Sequence, residues 1–283
     1  MSPMTTAVRA GVRRGAIEIR QTLTNAGDFA NYIFLPSVFF IVMYFLRGNT
    51  VPGTDFSLST MTIPSVVGLQ VAFGGLMGLG GTLIMEREDG TLLRAKAIPN
   101  GMLGYLVGKV VMGVGQALVA VTIILILGAF LFDGLRLGSP GAWLTLAWVL
   151  LLGLVATMPM GAVLGSLFSS SRSIGFMSLP VMGLIAISGI FYPITSFPVW
   201  LQWIGQVFPI YWLGLGMRSA LLPDSLASVE IGESWRHLEM VGVLGVWAVA
   251  GLILAPIVLR RMARRESGSS MAVGREKAMQ RWT

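Results

Sequence analysis

The chain has 283 residues, of which 54% are hydrophobic and 12% are charged, and its mean hydropathy is +0.77. A typical soluble domain is about 25% charged, so this chain cannot cover itself with polar surface and lipid must be the solvent for much of it. The absence of cysteine excludes disulfides, iron–sulfur clusters and thiolate zinc sites, and the single histidine, His237, argues against a histidine metal centre.

Residues 1–28 precede the first long apolar run and have the pattern of an amphipathic helix. On a helix, four apolar side chains share one face and three arginines share the adjoining one. These are Val8, Val12, Ile19 and Leu23, and Arg9, Arg13 and Arg20. The pattern predicts a helix in the cytoplasmic interface of the membrane, with its arginines near the lipid phosphates. The alternative is a solvated helix that touches its own helical bundle.

Six apolar runs without charges are long enough to form membrane-spanning helices. A helix needs about 20 residues to cross a hydrocarbon core about 30 Å thick. The predicted spans are 29–46, 61–85, 110–132, 142–168, 174–192 and 240–259. The sequence therefore predicts an all-α membrane protein with a six-helix domain over residues 29–259, followed by a basic cytoplasmic tail over residues 260–283 that anchors to lipid headgroups.

The basic residues orient these spans. With six spans both termini lie on one side of the membrane, and that side carries sixteen of the 20 lysines and arginines. The positive-inside rule places both termini in the cytoplasm. The net charge of +7 is then a topology signal, and because no basic surface is interleaved with aromatic residues, no nucleic-acid partner is expected.

The stretch EREDGTLLRAKAIP, residues 86–99, follows the second span and holds six charged residues between Glu86 and Lys96. Gly90 permits a sharp turn, and Thr91 is a candidate cap for the short helix Leu92–Ile98, which Pro99 ends. The pattern predicts a short, rigid, charged helix across the inner face of the membrane. Such a surface fits a groove on a soluble partner; the alternative is an ordinary solvated loop.

Residues 188–222, between the fifth and sixth spans, are broken by Pro193, Pro198 and Pro209. Trp200, Trp203 and Trp212 are aromatic residues of the kind that favours the membrane interface. We expect short helices that dip back into the membrane from its outer surface, because broken helices at membrane depth must be buried in protein or line a cavity. A plain external loop is the alternative.

Small and polar residues inside the spans indicate where helices pack or where a cargo passes. The pairs Gly74-xxx-Gly78 and Gly161-xxx-Gly165 predict close helix approach. Gln70, Gln116 and Phe191 are candidates to line a substrate path, although intramembrane glutamines more often tie helices together.

Motifs for catalysis and for nucleotide binding are missing. Gly104–Val111 lacks the spacing of a phosphate-binding loop, and Lys109 is expected to snorkel at the start of the third span. No acidic or basic residue lies deep in a predicted span, which argues against a proton- or sodium-coupled carrier. The chain is therefore predicted to be no enzyme and to bind no cofactor, with its energy supplied by another polypeptide.

Two stretches resemble one known family. EREDGTLLRAKAIP resembles the E-R-E-x-G-T-L…P signature of ABC-2 type transporter permeases, and residues 188–222 resemble the S-G…F-P…P-W-L…P…Y pattern of the same family. The resemblance implies that Glu86, Arg87, Glu88, Gly90, Thr91, Leu92, Arg94 and Pro99 belong to a coupling helix that docks into an ATPase subunit. It implies an outer re-entrant gate made of Ser188, Gly189, Tyr192, Pro193, Pro198, Trp200, Pro209 and Tyr211. Tyr192 stands where the family often has phenylalanine.

The chain is most similar to the drug-exporter branch associated with daunorubicin-type resistance. The resemblance implies a permease in the bacterial cytoplasmic membrane that moves a hydrophobic or amphiphilic small molecule outward, with ATP and Mg bound by the partner ATPase. It also implies a homodimer or heterodimer with a second permease, in which spans one and five meet. The alternatives are an ABC-2 permease for a polysaccharide or glycolipid and, from another class, a stand-alone secondary transporter.

Overall fold

The computed structural model of the chain describes residues 2–45, 48–50, 56–168, 170, 173–191 and 193–265. Their regular elements are helices, with one isolated bridge between Thr50 and Ser57. In chain order the helices are α1 Pro3–Thr24, α2 Ala26–Phe45, α3 Leu58–Phe73, α4 Leu79–Glu88, α5 Thr91–Lys96, α6 Gly101–Leu131, α7 Pro140–Ser166, α8 Ile174–Ala186, α9 Val199–Val207, α10 Pro209–Leu221 and α11 His237–Arg265. A π-helical turn, Gly74–Gly78, joins α3 to α4 in one continuous helix.

Within the described residues, four helices are long and apolar enough to cross a membrane: Leu58–Glu88, Gly101–Leu131, Pro140–Ser166 and His237–Met262. They coincide with the predicted spans two, three, four and six. The predicted spans one and five also form helices, α2 and α8, but their apolar segments, Pro36–Phe45 and Ile174–Ala186, are shorter. The all-α prediction agrees with this structure, and six complete crossings stay a prediction.

The fifth predicted span is shorter as a helix than as an apolar run. Helix α8 has 13 residues, which gives a length of about 20 Å. It ends at a turn in which Gly189 has φ +69°, a left-handed conformation that favours glycine. The sequence stays apolar beyond the turn, but the helix does not continue, so the predicted end of the fifth span at residue 192 was wrong. Tyr192 itself lies outside the described residues.

The third span is longer than predicted and begins at Gly101 rather than at residue 110. The sequence prediction began the span after the charge of Lys109. In the structure that charge is buried and paired inside the protein, so the helix continues past it.

The π-helical turn determines how the second span packs against α7. Gly75 and Gly80 pack against Thr157 and Gly161, and Gly165 lies against the backbone of Gly80. The predicted close approach at Gly161-xxx-Gly165 is therefore present. The predicted role of the other pair was wrong, because a side chain at position 74 or 78 would meet nothing within 4 Å. A π-turn inserts one residue into an α-helix and so rotates the residues that follow it.

Helix α1 packs along the first half of α6 through glycines on both helices. A Cβ on Gly15 would lie 2.6 Å from the carbonyl oxygen of Gly108, and a Cβ on Gly104 would lie 2.8 Å from that of Ala7. Further along, Gln116 Nε2 donates to Thr22 Oγ1 at 3.1 Å, so the two helices run in the same direction. The structure therefore shows the alternative in which α1 contacts its own helical bundle. Val8, Val12 and Leu23 are exposed, and their position in lipid remains a prediction.

Helix α10 lies at the centre of the half of the molecule away from α5. All of its residues are buried, and it packs against α3, α7 and α11. Its contact with α3 is close, since a Cβ on Gly68 would lie 2.7 Å from the carbonyl oxygen of Leu213.

Candidate functional site

The charged stretch after α4 forms a tight turn and a short helix. Gly90 adopts φ 78°, as the predicted sharp turn requires. The predicted cap was wrong: Asp89 Oδ1, not Thr91, accepts from an exposed backbone N–H, that of Thr91, at 2.8 Å. Burial would raise the pKa of the Asp89 carboxyl, but hydrogen bonds from Thr91 outweigh burial and hold this pKa below its usual range. The helix that follows, α5, begins at Thr91 and ends at Lys96, two residues before the predicted end.

Helix α5 is held on the body of the protein by one apolar face. Leu92 and Ala95 are buried in a cluster with Leu83, Tyr105 and Leu259. The opposite face carries Arg94, which is exposed, and Ile98 beyond the helix end is 62% exposed. The helix and the residues that follow it therefore present two cations, Arg94 and Lys96, and one large apolar side chain, Ile98, at the end of the bundle where α4 ends and α6 begins.

Glu86 and Arg87 hold the stretch in place from within the protein. Glu86 Oε1 lies 2.8 Å from Lys109 Nζ and 3.0 Å from Arg14 Nη2. Glu18 on α1 closes the network, 2.7 Å from Lys109 Nζ and 2.8 Å from Arg14 Nε. Glu86 is thus directed towards α1 and α6 rather than outward, and Lys109 is buried instead of snorkelling as predicted.

The network shifts the titration of Glu18. Burial would raise the pKa of this carboxyl, but hydrogen bonds and charge from Lys109 and Arg14 outweigh burial and hold the pKa below its usual range. On the other side of the stretch, Arg87 Nη1 donates to the backbone oxygen of Phe168 at 3.1 Å, which ties the end of α4 to the end of α7.

A groove of about 350 Å³ runs between α1 and α5. Its walls combine apolar surface with two guanidinium groups; they include Ala7, Arg14, Thr91, Arg94, Ile98 and Pro99. Four of the predicted coupling residues do not border the groove. Glu86 and Arg87 hold the stretch to neighbouring helices, Gly90 forms its turn, and Leu92 anchors α5 in the protein. Glu88 is exposed at the end of α4. Thr91, Arg94 and Pro99 border the groove.

A second cavity, of about 360 Å³, lies at the π-helical turn of the second span. Two of the three predicted path residues line it, Gln70 and Gln116, together with Phe73, Met112 and Met158. Phe191 lies elsewhere: its ring stacks on Phe39 with centroids 5.4 Å apart. The structure thus brings the two glutamines together and leaves Phe191 apart from them.

The stretch predicted to be a re-entrant region forms a helix pair in which α9 is exposed and α10 is buried. Trp200 and Trp203 on α9 are 63% and 69% exposed, as expected of interfacial aromatic residues. Trp212 on α10 was expected there too but is buried, because its Nε1 donates to the backbone oxygen of Gln206 at 2.6 Å and Arg236 covers its ring. Pro198 comes directly before α9, and Pro209 is the first residue of α10.

The remaining residues of the predicted gate surround a buried ion pair that sequence reasoning missed. Arg218 Nε lies 2.7 Å from Glu230 Oε1, and its Nη1 donates to Ser65 Oγ at 2.8 Å and to the Gly189 carbonyl at 3.3 Å. Ser188 and Tyr211 are buried nearby, and Pro193 lines a small pocket that Arg218 also borders. The one available signal was an arginine within an apolar, proline-broken stretch.

The chain also shows family relationships that agree with this architecture. A family model described as "ABC-2 family transporter protein" matches residues 49–259, so the chain belongs to the ABC-2 family. Several long apolar helices and this membership identify a multi-pass membrane protein.

Two curated relatives carry the same name, "Probable multidrug ABC transporter permease YbhR", one from Escherichia coli (strain K12) and one from Escherichia coli O157:H7. Each is 25% identical over 201 residues, which is 70% of this chain and 53% of the relative. The chain therefore spans about half the length of the curated relatives it matches.

Proposed function

We propose that this protein is the permease subunit of an ATP-driven exporter of hydrophobic or amphiphilic small molecules. A separate ATPase subunit binds ATP and Mg, and a second permease, identical or related, completes the conduit. The observation that carries the proposal is the short helix α5, which is fastened on one face and has Arg94 on its exposed face and Ile98 just beyond its end, beside a groove. Family membership and the multidrug permease named among the relatives support it.

The proposed arrangement has six crossings, with both termini and the groove in the cytoplasm of a bacterial cell. The basic residues support this orientation through the positive-inside rule. The exposed side chains of α5 and the groove beside it then face the compartment that contains a soluble ATPase. Apolar contact at Ile98, with a charge at Arg94 to set the register, is the usual composition of a small docking surface.

The network of Glu18, Glu86, Arg14 and Lys109 transmits a movement of α5 to the membrane-spanning helices. It connects the end of α4 to α1 and to α6 by charge-assisted hydrogen bonds, which are short and directional. A displacement of α5 by the ATPase is therefore passed to the second and third spans together.

A secondary carrier is disfavoured by the state of the buried carboxylate in the described part of the chain. Glu230 is buried, as sequence reasoning did not foresee, but it is paired with Arg218 at 2.7 Å. A proton relay uses carboxylates along the transport path, whereas Glu230 belongs to an ion pair with α10 and does not line the cavity between the spans.

The test is retention of the ATPase subunit by the affinity-tagged permease. Deleting the whole of α5 would also remove the buried Leu92, so a surface variant is the sharper probe. We expect Ile98→Glu to abolish ATPase retention and cargo-stimulated ATP turnover, because a carboxylate replaces an apolar contact. Leu238→Glu, a change of an 86% exposed leucine at the start of α11, is the matched control and should retain the ATPase. Retention by Ile98→Glu at the level of wild type would refute the docking role.

A further inference from the structure

The cavity at the π-helical turn has the composition of a binding site for an uncharged molecule. Residues of the second, third and fourth spans line it, and none of the lining residues is charged. A formal charge placed among such residues would have to be desolvated without a counter-ion, which is costly. Its volume of about 360 Å³ lies in the range of small-molecule sites.

The π-helical turn creates this space. By turning Gly75 towards α7, it leaves Gly74 and Gly78 directed at the cavity, where a Cβ would meet nothing within 4 Å. Both glycines are exposed, so the cavity is open on their side. Helix α8 contributes one residue, Ile174, to the lining.

The polar groups of the cavity are two carboxamides. Gln116 is already engaged with Thr22 of α1. Gln70 is half-buried, and the described part of the chain offers its side chain no hydrogen-bond partner. A carboxamide has both a donor and an acceptor, so a ligand with either group can satisfy it. Phe73 and three methionines, Met77, Met112 and Met158, supply an apolar and adaptable wall.

We propose that this cavity binds an uncharged amphiphile, with an apolar or aromatic body against the methionines and Phe73 and a hydrogen-bonding group on Gln70. The proposal rests on the proposed function and deepens it, since it locates the cargo inside one permease chain and excludes permanently charged cargo from that site. Helix α1 reaches the same site through Thr22 and Gln116, so movement at the cytoplasmic end is coupled to the cavity.

The natural absence of cysteine allows a direct test with the purified permease alone in lipid nanodiscs. A Gly78→Cys variant places one thiol at the cavity. Gly81→Cys is the matched control, since position 81 lies on the same helix, is equally free of contacts within 4 Å and does not line the cavity. The measurement is the rate of labelling by an uncharged methanethiosulfonate, with and without Nile red, an uncharged heteroaromatic dye.

At a dye concentration ten times its Kd, we expect labelling of Gly78→Cys to slow by about tenfold and labelling of Gly81→Cys to stay unchanged. The permanently cationic dye rhodamine 6G should protect neither thiol. Adding Gln70→Leu to the Gly78→Cys background should raise the Nile red concentration needed for protection by up to about tenfold. Equal protection at both positions, no protection at Gly78→Cys, or protection by rhodamine 6G would overturn the proposal.

Because this assay contains no ATPase, its failure leaves the proposed exporter function untouched. Conversely, loss of ATPase retention says nothing about dye binding. In a second assay, Gly78→Leu should abolish saturable Nile red binding by filling the cavity, whereas Gly81→Leu should leave it intact. Binding by Gly78→Leu equal to that of Gly81→Leu would contradict the assigned location.

Discussion

Arg218 is a charged residue that is buried in the half of the protein away from α5. Its side chain is 1% exposed and joins four parts of the chain: α10, the second span at Ser65, the turn at Gly189 and the loop at Glu230 between α10 and α11. A buried charge is tolerated only when its partners replace water. The pair therefore ties the loop around Glu230 and helix α10 to the second span and to the turn that follows α8.

Removing one member of this pair should lower the stability of the folded protein more than removing both members does. We expect Arg218→Met to destabilise the purified protein by about 3–5 kcal/mol, because Glu230 is left buried without its cation. The double variant Arg218→Met, Glu230→Met should recover most of the loss in thermal unfolding midpoint. If the single and double variants unfold at the same temperature, the pair contributes no mutual compensation.

Glu18 predicts a pH dependence with a defined sign. Its pKa in the folded protein lies below the ordinary value, so its contribution to stability is complete above that value and is lost as the pH falls through the folded pKa. The groups that face it are Arg14, Lys109, Glu86 and Tyr105. Glu18→Gln should lower stability by about 1–3 kcal/mol at pH 7, through loss of charge-assisted hydrogen bonds.

The difference in unfolding midpoint between wild type and Glu18→Gln should begin to narrow near pH 4, where glutamate in the unfolded chain becomes protonated, and should close as the pH falls through the lower pKa of Glu18 in the folded protein. The measurement is a series of thermal melts from pH 7 to pH 3 in one detergent. A difference that stays constant over this range would show that Glu18 acts by packing and not by charge.

Among the helices, α1 is positioned by a close glycine contact with α6 more than by its amphipathic pattern. A Cβ on Gly11, Gly15 or Gly104 would overlap a backbone oxygen of the facing helix, and a Cβ on Gly108 would lie only 3.1 Å from the carbonyl oxygen of Gly11. Small residues at such crossings let helices gain dispersion contacts and polar contacts that larger residues prevent. The charge network and the Thr22–Gln116 hydrogen bond lie along the same seam.

Gly15→Leu should therefore separate α1 from α6, whereas Ala16→Leu, on the exposed side of the same helix, should not. We expect the first variant to lower the unfolding midpoint and to reduce cargo-stimulated ATP turnover, through loss of the network that links α1 to α4. Equal midpoints and equal turnover in the two variants would contradict a structural role for this contact.

At the scale of the whole molecule, the two ends of the bundle should face opposite compartments. We predict that a membrane-impermeant maleimide labels Leu238→Cys in intact cells and labels Ile98→Cys only after the membrane is opened. Both side chains are exposed, at 86% and 62%, so access to the thiol is set by the membrane and not by burial. Labelling of Ile98→Cys in intact cells would reverse the assigned orientation.

Two helices carry the apolar surface that the proposed dimer would cover. Phe34, Ile41 and Phe45 on α2 and Phe176 and Leu179 on α8 are all more than half exposed. Both lipid and a second permease are apolar partners for such faces, so the meeting of spans one and five remains a prediction.

The sequence alone determined the class of the protein, because its signals are additive along the chain. Apolar runs, charge counts and the motif around Glu86 can each be read without knowing what lies beside them. Four long apolar helices and the family of the chain followed from these signals, as did the turn at Gly90.

The tertiary structure decided which residues face one another, and there local patterns misled. One π-turn rotated Gly74 and Gly78 away from α7 and replaced them with Gly75 and Gly80. Lys109 and Arg218 depend on carboxylates that lie 91 and 12 residues away along the chain, so no window of sequence shows that their charges are neutralised. Burial of a charge is decided by its partners in space, and those partners exist only once the helices have packed.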